Sequence, residues 1–166
     1  IQLATENADE LTGCLVSEGL FAYSDTGTIA PNIAKNYTVN EDYTKYTIEL
    51  RTGMCWSDGV PFTADDCIFF YEKMCVKEVF GEPLWDCFKV HEGQEKVQIA
   101  SFRKLDDYSF EVIFPEPKPD FLTQLLQQGG ICFAPEHYYV NLLPEYMGED
   151  AAKAKAADMG FADTTE

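Results

Sequence analysis

Between Tyr37 and Asp66 the chain alternates, turns, and then changes period, and this stretch limits what the whole can fold into. Tyr46, Ile48 and Leu50 alternate with Thr47, Glu49 and Arg51, the two-residue period of a half-buried strand. Tyr37–Val39 reads as its hairpin partner across the turn Asn40-Glu41-Asp42, with Val39 opposite Tyr46. Met54–Trp56 reads as a short third strand closed by Ser57-Asp58-Gly59. Thr63-Ala64-Asp65-Asp66 then opens a helix, with Thr63 as N-cap, Asp66 at N3 and two carboxylates at the positive end of the helix dipole. Cys67, Phe69, Phe70 and Met74 make its buried stripe, which runs to about Val76. Strands that give way directly to a capped helix bury their apolar faces against one another, which is the α+β arrangement.

The flanking sequence fits the same class. Asn7–Glu18 is predicted as a helix capped by Asn7, followed by a strand over Leu20–Tyr23 and a loop over Ile29–Ala34 around Pro31. Lys77–Gln94 has no clean period. Lys96–Lys104 reads as one strand, Leu105-Asp106-Asp107 as a turn, and Tyr108–Phe114 as the partner, with Phe110, Val112 and Phe114 on one face. Pro115, Pro117 and Pro119 make an extended connector, because proline cannot donate to a ladder. Asp120 is placed to cap a helix over Phe121–Gln128, which Gly129-Gly130 breaks. Ile131–Phe133 reads as a buried strand and Glu136–Leu143 as a short helix. The expected architecture is a mixed, mainly antiparallel sheet with helices packed around it. Residues 1–143 form one unit, and 144–166 an Ala/Lys-rich tail, helical or frayed.

Charge excludes several functions. Twelve Lys+Arg stand against 29 Asp+Glu in 166 residues, a formal charge of −17. Such a surface repels phosphate backbones and anionic lipid, so nucleic acid and membrane surfaces are poor partners. No apolar run approaches the ~20 residues of a membrane-spanning helix. The chain opens on Ile1 without an initiator methionine and reads as an excised or processed piece.

Few residues invite chemistry. Six cysteines show neither a Cys-x-x-Cys nor a zinc-type doublet, so no metal site is expected. Cys67 and Cys132 lie in apolar runs and read as small buried hydrophobes. Cys75 and Cys87 flank a polar connection and are the pair best suited to a disulfide. The carboxylate pairs Asp65-Asp66, Glu41-Asp42 and Asp106-Asp107 fall at a helix cap or in turns, where Asp serves the backbone. Cys87 with His91 lacks an orienting third group. No P-loop, Gly-x-Ser-x-Gly elbow, Gly-x-Gly-x-x-Gly or calcium loop occurs, and no catalytic residue or cofactor is assigned. Trp56, at a strand end, reads as a packing anchor. Trp85 sits in the irregular segment and reads equally as a core plug or as an exposed binding side chain.

Taken whole, YTVNEDYTKYTIELRTGMCWSDGVPFTADD resembles the extracytoplasmic solute-binding proteins of family 5, the oligopeptide- and dipeptide-binding proteins of ABC importers. The resemblance is carried by Leu50-Arg51, Gly53, Trp56, Asp58-Gly59, Pro61 and Thr63-Ala64-Asp65-Asp66. Glu18-Gly19-Leu20, Pro31 with Ala34, and Phe110-Glu111-Val112 leading into Pro115 and Pro117 extend it over about Thr12–Pro135. The frequency of cysteine, Lys77–Gln94 and the tail after Pro144 depart from the pattern. The resemblance implies one subdomain of the first lobe of a periplasmic-binding-protein type II fold, outside the cytoplasmic membrane as a periplasmic protein or lipoprotein. It further implies a monomer that presents a peptide or other small solute to a membrane permease. By place rather than by residue type, it puts Thr5, Glu6 and Asn7, and Leu84 and Trp85, toward the ligand. The competing readings are an acidic secreted hydrolase using a carboxylate pair, and the ligand-sensing domain of a regulator.

Overall fold

The computed structural model describes residues 18–77, 84–92, 96–130 and 132–160. Its centre is a four-stranded antiparallel sheet made, in spatial order, of Ala34–Val39, Lys45–Leu50, Ser109–Ile113 and Ser101–Asp106. The hairpin that the alternation predicts is present: β3 (Ala34–Val39) pairs with β4 (Lys45–Leu50), and Val39 stands opposite Tyr46. The other edge of β4 takes β8 (Ser109–Ile113), which puts Ile48 beside Phe110 and Tyr46 beside Val112. β7 (Ser101–Asp106) closes the sheet on β8. The inward residues Tyr46, Ile48, Leu50, Phe110 and Val112 are each 3 % exposed or less. A fully buried side chain of this size contributes about 1.5–3 kcal/mol relative to an exposed one.

The helical layer lies on that face. α1 (Ala64–Phe69) runs without interruption into a π-helical stretch, Phe70–Val76, so the helix reaches the end that its apolar spacing predicts. Tyr71 lies flat on Phe102 of β7 at 4.1 Å between centroids and donates its hydroxyl to the Ala100 carbonyl. A 3₁₀ turn, Asp86–Phe88, and α2 (Phe121–Gln127) complete the core. Phe121 meets Tyr46, Phe88 and Phe114 there. α3 (Glu136–Tyr139), α4 (Pro144–Met147) and α5 (Glu149–Asp158) follow. Glu145 of α4 bridges Lys73 and Lys77, with 2.6 Å to each ammonium, and Lys73 also sits over the Tyr146 ring.

Several local expectations change. Ile29–Pro31 is a strand, β2, paired with β1 (Phe21–Tyr23), and the proline falls at the strand's end where a missing N–H is tolerated. Met54–Trp56 is not a strand, because its tight turn leaves only the Cys55–Pro61 bridge. Lys96–Lys104 divides at Ala100 into β6 (Lys96–Ile99), paired with β5 (Lys89–Glu92), and β7. The Ala100 N–H donates to Phe88 and its carbonyl accepts from Tyr71, so two core residues hold the break. Cys132 and Phe133 are buried without being a strand, and α3 ends at Tyr139. Asp120 precedes α2 without a side-chain cap. Its carboxylate bonds Gln124 and pairs with Lys118 instead. Cys75 and Cys87 are free thiols, and with Cys67 and Cys132 they fill the core. The helix expected over Asn7–Glu18 lies outside the described residues except for Glu18.

Candidate functional site

The Trp-Ser-Asp-Gly corner holds itself together through its own backbone. Trp56 N–H donates to Val60 O (2.8 Å), Gly59 N–H to Trp56 O (2.9 Å), and Val60 N–H to Asp58 Oδ1 (3.1 Å). Gly59 has φ +88, a left-handed backbone that a side chain would strain. The second Asp58 oxygen pairs with His137 Nε2 at 2.8 Å. The Trp56 ring meets Phe62 at 5.6 Å, Phe133 at 5.9 Å and the His137 imidazole at 6.4 Å. The corner therefore serves as the wall on which residues 133–139 rest, and Trp56 is the packing anchor that its position predicts.

Asp66 makes the second attachment. It is 4 % exposed. In the capping box of α1 its Oδ2 accepts the Thr63 N–H at 2.9 Å, and its Oδ1 accepts the Glu136 N–H at 3.1 Å. Its own carbonyl takes the Ala134 N–H. Burial raises the Asp66 carboxyl above the usual range, and this outweighs the opposing pull of those N–H groups, the Trp56 indole and His137. The indole N–H lies close enough to act on the carboxylate, but it is buried without a well-formed hydrogen bond.

The carboxylate pairs do not converge. Asp65 turns outward to Lys104 (2.7 Å), which also binds Asp107 (2.9 Å). Asp106 accepts the Tyr108 N–H, and that bond lowers its carboxyl below the usual range. Glu41 and Asp42 are exposed in their turn. Glu136 is raised by burial and by Asp65 and Asp66, against Lys104 and Lys73. Both Asp66 oxygens are held by backbone donors, as suits a structural clamp. Among the described residues no group of three His, Cys, Asp or Glu is placed to hold a metal ion.

Leu84 and Trp85 are partly buried and pack on the core. The Trp85 ring lies parallel to Phe88 (6.2 Å, 7°) and edge-on to Phe70 (5.3 Å). Thr5, Glu6 and Asn7 lie outside the described residues, as does the His91 side chain. Burial pushes the Cys87 thiol up to about 12, which keeps it protonated and unreactive. Sequence reasoning missed His137 and the Glu136 amide. Pro135-Glu136-His137 follows a buried run, but no periodicity links it to Asp58 or Asp66, 79 and 70 residues earlier.

Residues 28–162 match the family model described as bacterial extracellular solute-binding proteins, family 5 Middle. The chain belongs to this family. A periplasmic α-galactoside-binding protein of Rhizobium meliloti is 33% identical to this chain over 118 residues, 71% of the chain and 16% of the relative. The periplasmic oligopeptide-binding protein OppA of Salmonella typhimurium is 27% identical over 118 residues, 66% and 21% of the two chains. A solved oligopeptide-binding protein OppA superposes with a TM-score of 0.75 at 28% identity, over 87% of this chain and 22% of that one. AppA of Bacillus subtilis, solved with a nonapeptide, shares the fold at a TM-score of 0.60 and 17% identity, over 92% and 27%. The chain thus spans about a fifth of the length of the relatives it matches. Its α+β architecture is that of the OppA-like, type II periplasmic binding proteins. Members of the family are binding proteins, and the named homologues are periplasmic.

Proposed function

We propose that this chain is one wall of a solute receptor for an ABC importer, working outside the cytoplasmic membrane, and that it carries out no reaction itself. The family match over residues 28–162 carries this reading. The clamp geometry supports it, since both Asp66 oxygens and one Asp58 oxygen are spent on backbone N–H groups of the wall. Peptide-like solutes are the first expectation, from the oligopeptide- and dipeptide-binding relatives. Relatives named for an α-galactoside and for deoxycholate make the solute class an experimental question. The full protein would deliver its solute to a membrane permease as a monomer. Within this chain, residues 1–143 are the proposed single unit and 144–166 the proposed Ala/Lys-rich tail, helical or frayed. Thr5, Glu6, Asn7, Leu84 and Trp85 are the proposed ligand-facing positions, and the partial exposure of Leu84 and Trp85 is compatible with that role.

One wall leaves most of a ligand in water, so the isolated chain is expected to bind weakly or not at all. Isothermal titration of the chain with a mixed set of tripeptides tests this. Heats corresponding to micromolar affinity would contradict the single-wall reading, and turnover of any of the peptides would contradict the absence of catalysis.

A further inference from the structure

α4 and α5 form a helical arm that the rest of the fold holds lightly. The arm leaves the body at Leu143, which is 2 % exposed and seated in the core. None of the four residues of α4 is buried. α5 buries two of its ten, Ala152 and Ala156, and both lie outside that core. Two alanine methyls remove little apolar surface from water, and a helix shorter than ~12–15 residues is marginal by itself. The polar contacts of α4 are of another kind. Glu145 turns both oxygens to the π-helical stretch, Oε1 to Lys73 Nζ and Oε2 to Lys77 Nζ, each at 2.6 Å. Lys73 also stands 5.2 Å from the centre of the Tyr146 ring, a cation–π contact. The two ammoniums hold the Glu145 carboxyl below its usual range, and Glu145 in turn raises Lys73 above its own.

We propose that Glu145, with Lys73, Lys77 and Tyr146, is an ionic latch that keeps the arm docked, and that salt opens it. One carboxylate spans two lysines of the same helix, so a single side chain carries both ion pairs. When the latch opens, α4 loses its attachment, and α5, held by two methyls, undocks and melts with it. Opening bares two ammoniums on a chain whose formal charge is −17. Glu145 and Lys77 are exposed, so ions in solution reach the latch. The screening length falls from about 10 Å at 0.1 M salt to about 3 Å at 1 M, which weakens both pairs. A family described as extracellular meets the salt of its medium directly, and that salt sets how often the arm is docked.

Hydrogen exchange of the whole chain, read by mass spectrometry at neutral pH in low salt and in about 1 M sodium chloride, tests the latch. The open population of the arm, taken from peptides covering residues 144–159 with β8 as internal reference, is expected to rise about fivefold in high salt. Glu145→Gln keeps the shape of the side chain and loses its charge. In low salt its arm should already open at least as often as the parent's does in high salt, and added salt should change it little. Lys35→Gln removes the exposed pair with Glu49 on the sheet, serves as control, and should follow the parent. Arm exchange that is independent of salt in the parent, or equally salt-dependent in Glu145→Gln, overturns the proposal, as does an arm already unprotected in low salt.

Discussion

Asp66 and Glu136 are 70 residues apart in the chain, and one hydrogen bond of 3.1 Å from the Glu136 amide to the Asp66 carboxylate ties α3 to the first turn of α1. The same carboxylate closes the capping box on Thr63, so a single side chain both starts a helix and docks another. Asp66→Asn keeps one acceptor oxygen and presents an amide to the second N–H. A buried backbone donor left without its partner costs about 1–3 kcal/mol. Urea unfolding of Asp66→Asn should show that loss with an unchanged m-value, and a parental midpoint would refute the clamp.

The Glu-Gly-Leu stretch has a steric cause. A Cβ on Gly19 would stand 2.9 Å from the Phe21 carbonyl and 3.1 Å from the Gly130 carbonyl, where Leu20 N–H also bonds Gly130. Backbone has no room to yield there, so Gly19→Ala should lose about 1–3 kcal/mol. Gly27→Ala also meets strain, but only from its backbone angle, because nothing lies within 4 Å of its Cβ. A loss at Gly19 no larger than at Gly27, measured by thermal melting, would sink the steric account.

Phe121 is fully buried at the meeting of Tyr46, Phe88 and Phe114. Removing its ring leaves a cavity bordered by sheet and 3₁₀ turn together, which cannot collapse onto one side. Phe121→Ala is expected to cost about 3–5 kcal/mol, read from urea denaturation.

The thiols should separate by burial. Cys67, Cys75, Cys87 and Cys132 are buried, while Cys55 is exposed. Burial pushes the Cys75 and Cys87 thiols up to about 12, so thiolate is scarce at neutral pH. In a Cys14→Ser background, an aromatic disulfide reagent should label one thiol rapidly and four more only in denaturant. Rapid labelling of two or more would mean that the core opens.

Glu145 should leave an acid signature. Lys73 and Lys77 hold its carboxyl below the usual range, so its stabilisation is present above the ordinary value of 4.5 and is lost as pH falls through the lowered one. Glu145 and Lys77 are exposed and Lys73 is half-buried, so these ion pairs are worth about 0.2–1 kcal/mol each. The Tm difference between parent and Glu145→Gln should be small, present at neutral pH, and closed in acid. A difference that grows in acid would contradict the assignment.

How far the sequence revealed this structure depends on the range of the interactions. Tyr46, Ile48 and Leu50 announce β4 because a strand's period is local, and Thr63 with Asp66 announces α1 because a cap spans three residues. The pairing of Ile29–Pro31 was hidden by a proline, which is tolerated at the strand's end. The break at Ala100 was hidden because Phe88 and Tyr71 impose it from elsewhere. The clamp was the least legible part. Thr63 explains Asp66 fully at the level of sequence, and nothing local shows that the same carboxylate has a second partner or that Asp58 has His137.

The strand order carries a kinetic consequence. β3 and β4 are neighbours in the chain, as are β7 and β8, so each hairpin closes a short loop. Joining β4 to β8 closes a loop spanning residues 51–108, which holds α1, the π-helical stretch and the β5–β6 ribbon. The entropy of that closure falls on one step, made before the central contacts can repay it. Substitutions between Ile48 and Phe110 should therefore slow refolding, whereas those in either hairpin turn should chiefly speed unfolding, and stopped-flow measurements would distinguish the two.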